Sequence, residues 1–131
     1  MLEKLKLLEK NIGDLEKFRE KHNFEEVKTE KVAEWALRYG ILESIQIVID
    51  LACHLVSKYN MGSPNSYGEC IELLHKFDYI AQSLTRKLIG MAGLRNILVH
   101  EYVSIDLKQL YDLLDNVDDF KEFAEQIKDY M

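Results

Sequence analysis

The chain has 131 residues, 47% of them hydrophobic and 31% charged, a balance that suits a soluble globular protein of one domain. Its two cysteines do not form the pattern of a disulfide scaffold, and its formal net charge of −6 argues against strong non-specific binding of nucleic acid. One proline and six glycines leave few places for turns, so the composition favours long helices.

The first predicted helix covers residues 2–21. Its segment is charged from the start and lacks the apolar stretch of a secretory signal, so we expect a cytoplasmic protein. Asn23 and Glu26 then form a predicted capping box for the next turn. Leucines and isoleucines at spacings of three and four predict one buried face of the first helix: Leu5, Leu8, Ile12 and Leu15.

The second predicted helix is long, from about residue 29 to residue 59. Between residues 41 and 56, eleven of sixteen side chains are apolar, which predicts burial on two sides. Because a single bundle covers one side well, we expect a homodimer packed partly through this helix. Glu43 and Asp50 interrupt the stretch, so we expect no membrane span. Its predicted core stripe is Val32, Trp35, Tyr39, Leu42, Ile49, Cys53 and Val56.

Three polar side chains of this helix fall on one line. At about 100° per residue, Glu43, Asp50 and His54 lie within about 40° of each other. One interpretation is a polar seam or solvated edge. The other is a polar lining that supports a site built around Arg95 and His100. The two cysteines, Cys53 and Cys70, are expected to be reduced and buried.

A turn at residues 60–65 separates the long helix from two further ones. Ser66 and Glu69 predict a capping box for a short helix at 67–77. A fourth helix is predicted at 79–98, and its Gly90 and Gly93 are expected to permit close approach of another helix or of a ligand.

The last helix is predicted to open at Asp106, with Gln109 completing a capping box. The acids of this helix are expected to be a solvated face, since they lack a histidine and a loop that would present them to a metal. We therefore expect no metal and no cofactor. Its predicted buried stripe is Leu107, Leu110, Leu114, Val117, Phe120, Ala124 and Ile127.

The candidate functional residues lie together at residues 95–102, with the sequence Arg-Asn-Ile-Leu-Val-His-Glu-Tyr. The guanidinium of Arg95 is always charged and offers a fork of donors that suits phosphate. Histidine exchanges a proton near neutral pH, so His100 can act as a general base or acid. RNA carries its own nucleophile, the 2′-hydroxyl. An arginine and a histidine therefore suffice to cleave it, leaving a 2′,3′-cyclic phosphate.

The pattern of Arg95, Asn96, His100 and Tyr102 resembles the signature of HEPN-domain proteins, in particular the HepT-like toxin ribonucleases. The flanking residues, the turn at 63–67 and the long second helix are also similar to that family. The resemblance implies one all-α HEPN-like domain over residues 1–131, an antiparallel up-down bundle of four to five helices that forms a homodimer.

The same resemblance implies a metal-independent endoribonuclease of a toxin–antitoxin pair, with RNA as its substrate. Arg95 and His100 would be catalytic at a dimer cleft, with Asn96 in support. The usual partner is a minimal nucleotidyltransferase antitoxin, which attaches AMP to the motif tyrosine, here Tyr102.

Geometry leaves alternatives open. On an ideal helix Arg95 and His100 point about 140° apart, so they converge only if the helix loosens near Val99 or if a second copy supplies the other group. Arg95 can instead pair with an acid such as Asp50 while His100 caps the helix. The functional alternatives are a non-catalytic nucleotide-binding or helical interaction subunit of a nucleotidyltransferase complex, and a purely structural dimerisation domain.

Overall fold

The computed structural model describes residues 1–101 and 104–131, and the regular structure in these residues is helical. The long helices form an up-down bundle, which confirms the all-α prediction. The helices are α1 (Leu2–Lys21), α2 (Phe24–Thr29), α3 (Lys31–Lys58), α4 (Tyr67–Lys76), α5 (Gln82–His100), α6 (Leu107–Asp112) and α7 (Val117–Ile127), with 3-10 turns at Leu113–Asn116 and Lys128–Tyr130.

Helix α3 is the centre of the bundle and packs against α1, α2, α4 and α5. Its 28 residues are long and apolar enough to cross a membrane by length and composition, but just over half of its most apolar window is buried inside the bundle. The apolar run at 41–56 is covered from two sides within one protomer. The predicted double burial is confirmed, although neighbouring helices of the same chain provide it rather than a second copy.

The exposed apolar surface of α3 lies nearer its N-terminus. Val32 is 75%, Trp35 58% and Tyr39 64% exposed, so the predicted core stripe is wrong there. The buried face runs instead through Ala33 and Leu37. Because α3 is apolar on most sides, periodicity alone could not select which stripe faces the core.

Local sequence signals correctly placed the starts of three helices, α2, α4 and α6. The Asn23 side chain accepts from the Glu26 amide at 2.9 Å, and Ser66 Oγ accepts from the Glu69 amide at 3.2 Å. Asp106 caps α6 through the amides of residues 108 and 109. These caps satisfy amides that have no partner within the helix, and they confirm the predicted starts.

The C-terminal segment is not one continuous helix as predicted. It tightens to a 3-10 turn at Leu113–Asn116, where Asp115 and Asn116 are weak helix formers. The predicted apolar stripe is buried from Leu110 onwards. Asp119 departs from the predicted solvated face, because it is only 6% exposed and its Oδ1 accepts from Lys87 Nζ at 3.3 Å.

The two cysteines form a disulfide between α3 and α4, so the prediction of two thiols is wrong. The turn at 60–65 folds α4 back onto α3 and brings the Cα atoms of Cys53 and Cys70 to 5.1 Å, within the range a disulfide spans. Their separation of 17 residues gave no sign of this approach.

Candidate functional site

Arg95 and His100 belong to the same motif, but their side chains point to different sides of α5. The helix continues through His100, and the Glu101 amide still donates to the Ile97 carbonyl at 2.8 Å. Of the two alternatives, loosening of the helix near Val99 is therefore not found. Five residues of regular helix turn the two side chains about 140° apart, so one protomer does not bring them together.

The Arg95 guanidinium is held by three side chains. Its Nε donates to Gln46 Oε1 of α3 at 2.8 Å, and its Nη1 donates to Asn96 Oδ1 at 3.1 Å. Its central carbon lies 5.4 Å from the ring centre of Tyr67, the first residue of α4. Three helices thus meet at this one half-buried cation.

Asp50 belongs to the same hydrogen-bond network but does not contact Arg95 directly. Gln46 lies between them and donates from Nε2 to Asp50 Oδ1 at 2.9 Å. The other carboxylate oxygen accepts from Lys4 Nζ of α1 at 2.5 Å. The alternative in which Arg95 pairs directly with Asp50 is not found. The supporting role of Asp50 stays a prediction, with Gln46 as the link.

Glu43 faces α1 rather than Arg95. It accepts from Asn11 Nδ2 and from the Tyr39 hydroxyl, each at 2.8 Å. The hydrogen bond from the Tyr39 hydroxyl to Glu43 raises the pKa of Tyr39 above its ordinary value. His54, the third residue on this line, is half-buried, and desolvation lowers its pKa. The line is thus largely a polar seam toward α1, and the proposed support from Glu43 stays a prediction.

His100 is the last residue of α5 and its side chain is exposed. Within residues 1–101 and 104–131 the imidazole makes no hydrogen bond. Tyr102 lies outside the described residues. The role predicted for it is not tested by this geometry.

A groove of about 420 Å³ runs beside the motif between α5 and the start of α6. Gly90 and Gly93 form part of its wall, and a Cβ built on either glycine would meet nothing within 4 Å. The predicted close approach of another helix at these glycines is therefore not found in the described part of the protomer. The rest of the lining is Leu94, Ile97, Ser104, Ile105, Asp106, Gln109 and Leu110.

One group of side chains elsewhere has the composition of a metal site. The ligand atoms of His22, Glu26 and Glu30 lie within 4.8 Å of one another. They sit at the corner of α1 and α2, where the His22 carbonyl also accepts from the Tyr111 hydroxyl of α6 at 2.6 Å. The prediction of no metal did not consider this group, in which the two acids follow His22 by four and eight residues. The absence of a metal or cofactor at the motif remains a prediction.

Gln46 and Tyr67 are the residues at this site that sequence reasoning did not single out. Gln46 follows Glu43 by three residues and precedes Asp50 by four, so the line of polar residues on α3 contained a signal for it. Tyr67 ends the turn at 63–67 that is similar to the family, but its contact with Arg95 depends on how α4 packs.

Comparison with known proteins agrees with this fold. The model of the family described as "Ribonuclease HepT-like" matches residues 8–127. The chain is 35% identical over 81 residues to the mRNA nuclease HepT of Shewanella oneidensis, covering 61% of each protein. It is 30% identical over 87 residues to the tRNA nuclease HepT of Aphanizomenon flos-aquae, covering 66% of this chain and 59% of that one. The aligned part thus spans about three fifths of the length of these two relatives.

Similarity to solved structures extends over more of the chain than the two sequence matches do. The structure of a tri-AMPylated Shewanella oneidensis HEPN toxin in complex with an MNT antitoxin superposes with a TM-score of 0.88 at 24% identity. The match covers 98% of this chain and 96% of the toxin, so the whole bundle has the same architecture.

Proposed function

The chain belongs to the HepT-like ribonuclease family, and from this premise we propose that it is a toxin-type endoribonuclease that cleaves RNA through Arg95 and His100. One observation carries the proposal. An arginine held by neutral partners and an exposed histidine lie on one helix, in the segment that resembles the family signature.

The reaction uses the 2′-hydroxyl of the RNA as its nucleophile. His100 takes the proton from this hydroxyl or supplies a proton to the leaving oxygen. The O2′–P bond forms, the P–O5′ bond breaks, and the products carry a 2′,3′-cyclic phosphate and a 5′-hydroxyl. Arg95 stabilises the negative charge that develops on the non-bridging oxygens, and no step requires a metal.

A homodimer fits the opposed directions of the two side chains. Because Arg95 and His100 diverge within one protomer, the proposed site pairs the residues of one protomer with those of a second copy across a cleft. The exposed stripe of Val32, Trp35 and Tyr39 is a suitable surface for this contact. It borders a hollow that Leu98 of α5 also lines, so the stripe is continuous with the motif helix.

The test is cleavage of a labelled single-stranded RNA in EDTA by wild type, Arg95→Ala and His100→Ala. We expect His100→Ala to lose on the order of 100-fold or more in rate, since general acid–base catalysis contributes that much. Arg95→Ala is expected to lose a similar factor. Products of wild type should carry the cyclic phosphate by mass spectrometry. Equal cleavage by wild type and His100→Ala would contradict the assignment.

We further propose a nucleotidyltransferase antitoxin as the partner and Tyr102 as the residue it modifies. The support is the family motif together with the AMPylated toxin whose fold this chain shares. The tyrosine oxygen attacks the α-phosphate of ATP, the proton leaves the hydroxyl, and pyrophosphate is released. The bulky anion attached two residues after His100 would then block the site.

Co-expression with a cognate nucleotidyltransferase tests this second proposal. Mass spectrometry should find added AMP on Tyr102, and the modified protein should not cleave RNA. Tyr102→Phe should escape both modification and inhibition. If AMP is attached only at other residues, Tyr102 is not the regulated position.

Two further points concern the location of the protein and an alternative function. We propose that the protein acts in the cytoplasm, where its RNA substrate and antitoxin would be. The net charge of −6 favours the alternative of a non-catalytic nucleotide-binding or helical interaction subunit. That alternative predicts nucleotide binding without cleavage in the RNA assay.

A further inference from the structure

The contacts of Arg95 distinguish two ways of holding a catalytic cation. A carboxylate would hold a guanidinium firmly but would also neutralise it and compete with phosphate. A neutral acceptor and an aromatic face hold it in place and leave its charge available. The structure shows the second arrangement, with the Gln46 amide at 2.8 Å and the Tyr67 ring at 5.4 Å.

We propose that Gln46 and Tyr67 are positioning residues that orient the Arg95 guanidinium for a phosphate without neutralising it. This inference rests on the proposed function, because it assigns a purpose to the contacts of Arg95. Neither residue belongs to the motif at 95–102. They are supplied by α3 and α4, the two helices that pack against α5 at this point.

The geometry leaves one edge of the guanidinium for a ligand. Nε–H is directed to Gln46, and one proton of Nη1 is directed to Asn96. In the part of the chain that the structure describes, Nη2 and the second Nη1 proton have no partner. These two nitrogens form the edge that binds two oxygens of a phosphate in a bidentate manner.

Gln46 is itself held in a single orientation. Its Nε2 donates to Asp50, which also accepts from Lys4, so the amide cannot turn over without losing a hydrogen bond. The Oε1 atom is therefore fixed toward Arg95. The carboxylate of Asp50 is kept one side chain away from the guanidinium and is already paired with a lysine.

The chain contains a matched control for Gln46. Gln126 of α7 is also half-buried and donates to an acid four residues away, Glu122, at 2.9 Å. Its Oε1 accepts from the Ala81 amide at the start of α5, also at 2.9 Å. The two glutamines make the same kinds of contact, but only Gln46 touches Arg95.

The first arm of the test measures RNA cleavage by Gln46→Leu and Gln126→Leu. Loss of orientation should lower kcat of Gln46→Leu on the order of 10-fold to 100-fold, as small misplacements at active sites do. Gln126→Leu should cleave at the wild-type rate with a comparable change in melting temperature. Adding Gln46→Leu to Arg95→Ala should cause no further loss, because the glutamine acts only through the arginine.

The second arm adds a charge beside the guanidinium. Gln46→Glu keeps an acceptor for Nε but places a carboxylate against Arg95 and loses the amide donor to Asp50, so it changes both charge and orientation. It should raise KM for RNA on the order of tenfold, an effect that the uncharged Gln46→Leu should not show. Tyr67→Phe keeps the ring face and should retain wild-type kcat, whereas Tyr67→Leu should lower it.

A third arm does not depend on activity. The Arg95 Nε–H resonance in ¹⁵N NMR should exchange slowly in wild type and in Gln126→Leu, and rapidly in Gln46→Leu. If Arg95→Ala cleaves RNA normally, the proposed function fails and the inference fails with it, and this resonance then reports only whether Gln46 holds the guanidinium. If Arg95→Ala is inactive but Gln46→Leu cleaves like wild type, the inference fails and the proposed function stands.

Discussion

His54 is a half-buried histidine that folding makes harder to protonate. Desolvation lowers its pKa below the ordinary value of 6.5, and the positive charges of the N-terminus and of Lys58 add to this effect. Well above pH 6.5 the imidazole is neutral in both the folded and the unfolded chain and does not affect stability. As pH falls through 6.5 toward the lower folded pKa, the unfolded chain takes up the proton first and stability is lost.

We therefore expect wild type to lose more unfolding free energy than His54→Gln between pH 7.5 and pH 5.5. Urea denaturation at the two pH values measures the difference. The carboxylates titrate in both proteins, so the comparison isolates the histidine. Identical losses in the two proteins would show that folding does not perturb His54.

Arg95 shows which contacts of a residue a sequence can reveal. Asn96 is its neighbour in the chain, and the motif pointed to both. Gln46 lies 49 positions away and Tyr67 lies on another helix, so their contacts depend on the relative rotation of α3, α4 and α5. Periodicity fixes which residues share a face, but it does not fix how far one helix slides along another.

At the scale of helices, two glycines show how packing changes the effect of one substitution. A Cβ on Gly13 of α1 would meet nothing within 4 Å, whereas a Cβ on Gly40 of α3 would lie 3.1 Å from Leu15 Cδ2. Gly40 therefore packs closely against Leu15 of α1, which is only 4% exposed. Gly13 has no such packing role.

Replacing Gly13 by alanine should raise the unfolding free energy by about 0.5–1 kcal/mol, because alanine loses less backbone entropy in a helix. Gly40→Ala has the same intrinsic gain but must displace Leu15, so it should stabilise less or destabilise. Chemical denaturation of both variants measures the contrast. A larger gain at Gly40 than at Gly13 would contradict the packing seen between α1 and α3.

Helix positions were predictable where the signal was local. The three capping residues and the buried stripe of α1 depend on neighbours within four positions, and the structure confirms them. The stripe of α3 was wrong at Val32, Trp35 and Tyr39 because an apolar side chain can face the core or another protein. The disulfide was missed because it depends on how the turn at 60–65 returns the chain.

At the scale of the whole molecule, the exposed stripe of α3 should decide the oligomeric state. Trp35 is 58% exposed, so Trp35→Lys should leave the fold of the protomer intact. We expect wild type to sediment as a dimer and Trp35→Lys as a monomer that has lost RNA cleavage. Analytical ultracentrifugation measures the change.

Phe77→Lys provides the control, because Phe77 is also exposed, at 47%, but lies at the end of α4. It should remain dimeric and active. A monomeric wild type, or a Trp35→Lys variant that stays dimeric, would contradict the proposed surface.

The disulfide between Cys53 and Cys70 also makes sample handling an experimental variable. It ties together the helices that carry Gln46 and Tyr67, and Cys70 follows Tyr67 by less than one turn. Glutathione and thioredoxin keep most cytosolic cysteines as thiols, while purification in air favours the cystine. Samples prepared with and without dithiothreitol are therefore expected to differ in the covalent state of this cysteine pair. Their specific activities should be compared only after the thiols have been counted.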